Sequence, residues 1–116
     1  MCHRSGVAVQ PLNIEAQVAG AIVHGASHAL HEQINIVNGE VQESNFDSYR
    51  VMRMSQMPEI HIRVTPTPEN KPAGIGEVGL PPTGPAIANA VARLPGGVRL
   101  RHYPFLPERV KAALNA

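Results

Sequence analysis

The sequence predicts an α+β fold, a small and mostly antiparallel sheet of about four strands with two or three helices packed on it. Three observations carry that prediction. Apolar residues recur at helical spacing through Ile14, Val18, Ala21, Ile22, Gly25 and Ala29. Asn38-Gly39 stands between two runs of strand-forming residues, the strongest short hairpin signal because both residues tolerate positive φ. Residues 59–64 (EIHIRV) alternate strictly, with Ile60, Ile62 and Val64 on one face.

In chain order, Gly6 to Val9 (GVAV) reads as a short strand that Pro11 breaks. Asn13 is a good N-cap for a helix from Ile14 to about Glu32. Gly20 and Gly25 each weaken that helix by up to about 1 kcal/mol relative to Ala, and such small residues fit close packing against another backbone. The hairpin pairs residues 33–37 (QINIV) with 40–44 (EVQES). Residues 45–58 read as irregular, with Met52, Met54 and Met57 and a stop at Pro58. A long Pro- and Gly-rich loop, 65–82, follows the alternating strand; loops of that length inside a domain are usually functional or disordered. A second helix is expected from about Gly84 or Pro85 to Leu94, capped by Thr83 and ended by Pro95-Gly96-Gly97. Val98–Leu100 is a short strand, and Pro107 opens a last helix to about Leu114.

Length and composition narrow the function classes. The 116 residues read as a single domain, 1–116, long enough to bury roughly two-thirds of the unfolded surface. Charged residues are only 16% against about 25% in an average soluble domain, and a charge-poor surface is one that fits a partner, including a second copy of the chain. A net charge of +1 argues against a nucleic-acid footprint. The lone Cys2 excludes an internal disulfide and a Cys-based zinc site. No apolar run reaches the roughly 18 residues a membrane span needs. The N-terminus carries neither the charged region nor the apolar stretch of a signal peptide, so a cytoplasmic location is expected, with a periplasmic parent enzyme as the alternative.

Two groups of residues bear on chemistry. Gly74-x-Gly76-x-x-Gly79 formally matches the dinucleotide fingerprint, but that motif needs a buried strand before it and a helix opening through it. Here the preceding residues are polar and Pro-rich, and Pro81-Pro82 follow at once. The same glycines flank Glu77 ahead of a helix whose N-terminal amides favour an anion. A carboxylate in a partly dry pocket there can serve as a general base; the plainer reading is an exposed turn residue. Separately, His24, His28 and His31 fall within about 60° of one another on the first helix and can converge on zinc with water as a fourth ligand. The plainer reading is a polar stripe facing solvent or a partner, with no carboxylate or Cys placed to complete the set.

The whole pattern goes further. Residues 73–94 (AGIGEVGLPPTGPAIANAVARL) resemble the C-terminal motif of the large, molybdenum-binding subunit of the xanthine dehydrogenase and aldehyde oxidase family. Residues 17–30 (QVAGAIVHGASHAL) and 37–60 (VNGEVQESNFDSYRVMRMSQMPEI) resemble the same subunit in the same order, and 37–60 is especially similar to the isoquinoline 1-oxidoreductase type of beta subunit. The resemblance covers about residues 6–105. It implies a molybdenum hydroxylase segment, in an oxidoreductase that hydroxylates N-heterocycles or aldehydes with oxygen from water. It makes Glu77 the catalytic base and Gln17 a hydrogen-bonding partner of molybdopterin, and it sets Gly76, Val78 and Gly79 as backbone beside the molybdenum. It also implies partners: the remainder of the large subunit and an iron–sulfur subunit. Asn45, Phe46, Tyr49 and Arg50 fall in a segment near the family's active-site lobe.

The pattern departs from the family at three places. Ala19 stands for the usual acid, His24 for the usual Gln, and Gln10-Pro11 for Asn-Pro. The family subunit has several hundred residues, so the chain reads as a detached C-terminal piece. It is expected to be inactive alone and to hold no cofactor stably. The alternatives are a self-associating or partner-docking domain without catalysis, and a His-based metal-binding module.

Overall fold

The computed structural model describes residues 6–65, 67, 69 and 71–115. Helix α1 runs Pro11–Leu30, and strands β1 (Ile36–Val37) and β2 (Glu40–Val41) form a hairpin. A 3-10 turn at Met54–Gln56, α2 at Leu80–Ala92 and α3 at Pro107–Leu114 complete the order. The class is α+β with three helices, but the sheet has two strands rather than four among the described residues.

α1 begins three residues earlier than its spacing predicts. Gln10, not Asn13, is the N-cap, its side chain accepting from the Leu12 amide at 3.2 Å. Pro11 therefore opens the helix rather than only ending what precedes it, because the first helical amide has no acceptor to lose. α2 also starts early, at Leu80, with Pro81 and Pro82 inside its first turn for the same reason. The Thr83 hydroxyl donates to the Gly79 carbonyl at 2.7 Å, and Pro85 sits within the helix. α2 ends at Ala92, two residues short of Leu94. α3 matches its expected bounds.

Asn38 and Gly39 turn the hairpin at φ 52° and 85°, the two positive values that the dipeptide predicts. Only Ile36–Val41 and Val37–Glu40 pair. The other three predicted strands, Gly6–Val9, 59–64 and Val98–Leu100, form no ladder. In 59–64 the alternation is real as burial: Ile60, Ile62 and Val64 are half-buried and His61 and Arg63 exposed. Period-2 burial needs only a surface to lie on, whereas a strand needs a backbone partner. No helix packs on the hairpin among the described residues. The central contact is α1 against α2.

That contact is close because of glycine. A Cβ on Gly25 would stand 2.7 Å from the Leu80 carbonyl oxygen and 2.9 Å from the Thr83 Cβ. Gly84 in turn takes the Tyr103 ring where any side chain would sit. The core is small: Ala29, Ala88 and Phe105, with Leu30, Ile87, Leu100 and Val110 against it. The Phe105 amide donates to the Ala29 carbonyl at 2.7 Å, satisfying one of the last carbonyls of α1.

The rest of the surface is open. The chain exposes 8675 Å², against about 6,100 Å² for a compact monomer of its mass. Its radius of gyration is 17.2 Å, against about 13 Å for a compact domain of this length. Leu12, Phe46 and Met54 are more than two-thirds exposed, and Val9 is 83% exposed. The low charge of the sequence thus belongs to a surface with much apolar area in the open.

Candidate functional site

The glycine loop is held down by its apolar residues. Ile75 and Val78 face the α1 stripe Ile14, Val18 and Ile22 across a cavity of about 170 Å³, closed on its other side by residues 61–65. Gly79 lies on α1, where a Cβ would come within 2.9 Å of the Ala21 Cβ and 3.3 Å of the Val18 carbonyl oxygen. The Leu80 amide donates to the Glu77 carbonyl at 3.1 Å, closing the turn. With Ile75, Val78 and Gly79 turned inward, Gly76 and Glu77 are left exposed.

Gln17 meets this loop. Its Nε2 stands 3.8 Å from where a Cβ on Gly76 would lie, so α1 and the loop bring together two residues 59 positions apart in sequence. Among the described residues no group accepts from the amides of Gly76, Glu77, Val78 or Gly79. These amides lie between the Gln17 carboxamide and the N-terminus of the 13-residue α2, an uncharged stretch rich in donors, and Glu77 is the carboxylate within it. The helix that the dinucleotide fingerprint requires does follow Gly79 directly. Among the described residues the strand it also requires does not form, which is what removes that reading.

The histidines assemble differently from the sequence expectation. His24 and His28 come together with ring centroids 4.4 Å apart. The third donor is Glu32 rather than His31, which caps the helix end. His28 Nε2 stands 3.1 Å from Glu32 Oε2, and the Tyr49 hydroxyl donates to the same oxygen at 2.5 Å. That hydrogen bond to a carboxylate raises the Tyr49 pKa above the ordinary phenol value. A carboxylate is therefore in place where the sequence reading found none. Its signal was available, because Glu32 continues the four-residue spacing of His24 and His28. Tyr49 carried no local signal, since it arrives from the 45–49 turn, in which the Ser48 and Tyr49 amides donate to the Asn45 carbonyl at 3.0 and 2.7 Å.

Comparison with known proteins gives the family. A family model described as a molybdopterin cofactor-binding domain matches residues 1–58, half of the chain. The chain belongs to that molybdopterin-binding family. Isoquinoline 1-oxidoreductase subunit beta from Brevundimonas diminuta is 44% identical over 102 residues, 88% of this chain and 13% of that protein. A membrane-bound aldehyde dehydrogenase from Gluconacetobacter polyoxogenes, whose name gives pyrroloquinoline quinone, is 41% identical over 96% of this chain and 14% of its own length. The fold is that of a segment of quinoline 2-oxidoreductase from Pseudomonas putida 86, at a TM-score of 0.74 and 24% identity, over 97% of this chain and 15% of that one.

The chain thus spans about one-seventh of the relatives it matches. The match to the molybdopterin-binding domain takes in Gln17 and the 45–50 segment but ends before Glu77. The 102-residue similarity to the isoquinoline enzyme takes in residue 77 as well. No described helix of this family member is long and apolar enough to cross a membrane.

Proposed function

We propose that the chain is the part of a molybdenum hydroxylase that supplies its general base, in an oxidoreductase acting on N-heterocycles or aldehydes. One observation carries the reading: the fold sets Gln17 beside Gly76, at the foot of a turn that presents Glu77 next to four amides without acceptors. This donor set fits molybdopterin, whose phosphate and oxo oxygens are hydrogen-bond acceptors. Gln17 would hold the cofactor through its carboxamide, and the backbone of Gly76, Val78 and Gly79 would border it. When bound, molybdopterin supplies the redox centre that hydroxylates an electron-poor carbon with oxygen from water. Glu77 would take a proton from the water-derived oxygen at its carboxylate, and the flanking glycines allow the close approach this needs.

The large apolar exposure supports a chain that lies against further protein, as the remainder of the large subunit and an iron–sulfur subunit would provide. Alone, the chain is expected to be inactive, because Glu77 is open to water and the chain spans about one-seventh of the relatives it matches.

The test exchanges the matching segment of the Brevundimonas beta subunit for this chain. The chimera is expected to hydroxylate isoquinoline, and Glu77→Gln is expected to lower its kcat about 10²- to 10⁴-fold with molybdenum content unchanged. Full activity in Glu77→Gln removes Glu77 as the base. Turnover with stoichiometric molybdenum in the isolated chain removes the prediction of inactivity.

A further inference from the structure

We propose that His24, His28 and Glu32 form a binding site for a divalent transition-metal ion of the zinc type, separate from the glycine loop. Two imidazoles and one carboxylate are ligands suited to zinc and its neighbours, while calcium and magnesium prefer all-oxygen sets. The three residues follow one another at four-residue intervals from the last turns of α1 into the residues just beyond it, and their donor atoms lie within 4.8 Å of one another. Ligands on a tetrahedral zinc stand about 3.3 Å apart, given bond lengths near 2.05 Å. The His28–Glu32 edge, at 3.1 Å, already has that length. His24 is exposed, and a rotation of its side chain would close the remaining gap.

Three features go beyond a chance meeting of polar groups. First, the Glu32 side chain is only 7% exposed, and among the described residues His28 is the one basic side chain within 4.0 Å. A carboxylate so nearly buried with no Lys or Arg beside it is short of positive charge. Second, the Tyr49 hydroxyl donates to Oε2 of this carboxylate and holds its orientation, as hydrogen-bond partners of metal ligands do. Third, the cluster opens on a groove of about 560 Å³ bounded by Gly20, Val23 and Met52, which leaves room for water at the open coordination positions. A simple His28–Glu32 ion pair accounts for Glu32 but not for His24. The His24 and His28 rings lie 4.4 Å apart, and a metal ion takes imidazoles as ligands through their ring nitrogens.

The test is calorimetric titration of the full chain with zinc chloride, in a Cys2→Ser, His3→Ala background that removes the N-terminal donors. One ion per chain is expected, with calcium and magnesium giving no saturable heat. His24→Ala and His28→Ala are each expected to weaken binding at least about tenfold, and Tyr49→Phe about tenfold. His31→Ala is expected to leave it unchanged. The imidazole signals of His24 and His28 in ¹H–¹⁵N spectra are expected to shift with the same stoichiometry. Absence of saturable binding below about 100 µM zinc overturns the site, as does binding that survives His28→Ala intact. His24 is exposed and outside the core, so a loss in His24→Ala reports a missing ligand rather than an unfolded chain.

Discussion

Replacing Gly25 by Ala tests how closely α1 and α2 meet, because two opposed effects act at that position. Helix propensity favours Ala by up to about 1 kcal/mol. Against it, the new Cβ would stand 2.7 Å from the Leu80 carbonyl oxygen and 2.9 Å from the Thr83 Cβ. Ordinary contacts begin near 3.4 Å, so the helices must part by roughly half an ångström or more, and overpacking of this kind costs about 1–3 kcal/mol. The carbonyl belongs to the first residue of α2 and cannot rotate away without opening that helix.

Gly20 supplies the control. It lies in the same helix with nothing within 4 Å of a built Cβ, so Gly20→Ala receives the propensity gain alone. The two variants are therefore expected to move in opposite directions. Gly20→Ala should be more stable by about 0.5–1 kcal/mol and Gly25→Ala less stable by about 1–2 kcal/mol. Urea denaturation followed by helical circular dichroism measures both, and at this size 1 kcal/mol moves Tm by about 4–6 °C. If Gly25→Ala stabilises as much as Gly20→Ala, the close approach of the helices is wrong, and with it the anchoring of the glycine loop.

Two further outcomes follow from single hydrogen bonds. Ser27 is 5% exposed, and its hydroxyl accepts from the Met52 amide at 2.9 Å. Ser27→Ala leaves that part-buried amide unpaired and is expected to cost about 1–3 kcal/mol in the same denaturation assay, whereas an effect below a few tenths would mean water replaces the bond. The Glu43 carboxylate accepts from the Asn35 backbone amide at 2.7 Å and from the Asn35 side chain at 2.6 Å. The amide bond above all holds its pKa below the ordinary 4.5. Because the folded pKa is lowered, this support of the hairpin is present above the unfolded-state pKa and is lost as pH falls through the folded value. The Asn35 amide proton should shift with a midpoint below 4.5; a midpoint above it contradicts the contact.

Periodicity and turn chemistry made the helices and the hairpin readable in the sequence. α1 and α3 follow from spacing, and Asn38-Gly39 from the positive φ that few residues tolerate. The missing strands were not readable as missing, because 59–64 has the burial pattern of a strand and nothing local reports the lack of a partner. The early start of α2 was hidden by Pro81 and Pro82, which mark a loop in most contexts and a first turn in this one. At the site, the motif pointed to Gly76 and Glu77 through family resemblance, while the meeting of Gln17 with Gly76 needed the tertiary contact. Glu32 was legible by spacing, and Tyr49, which comes from another segment, was not.

The bond from the Phe105 amide to the Ala29 carbonyl has a consequence for how the chain is made. Ala29, Ala88 and Phe105 come from the first third, the last third and near the end of the sequence. During synthesis the hairpin turn can form as soon as it leaves the ribosome, since its partners are neighbours. The core has to wait until residue 105 has been made. Until then α1 emerges with its apolar stripe bare and its last turn unfinished, the kind of exposed surface on which chaperones act.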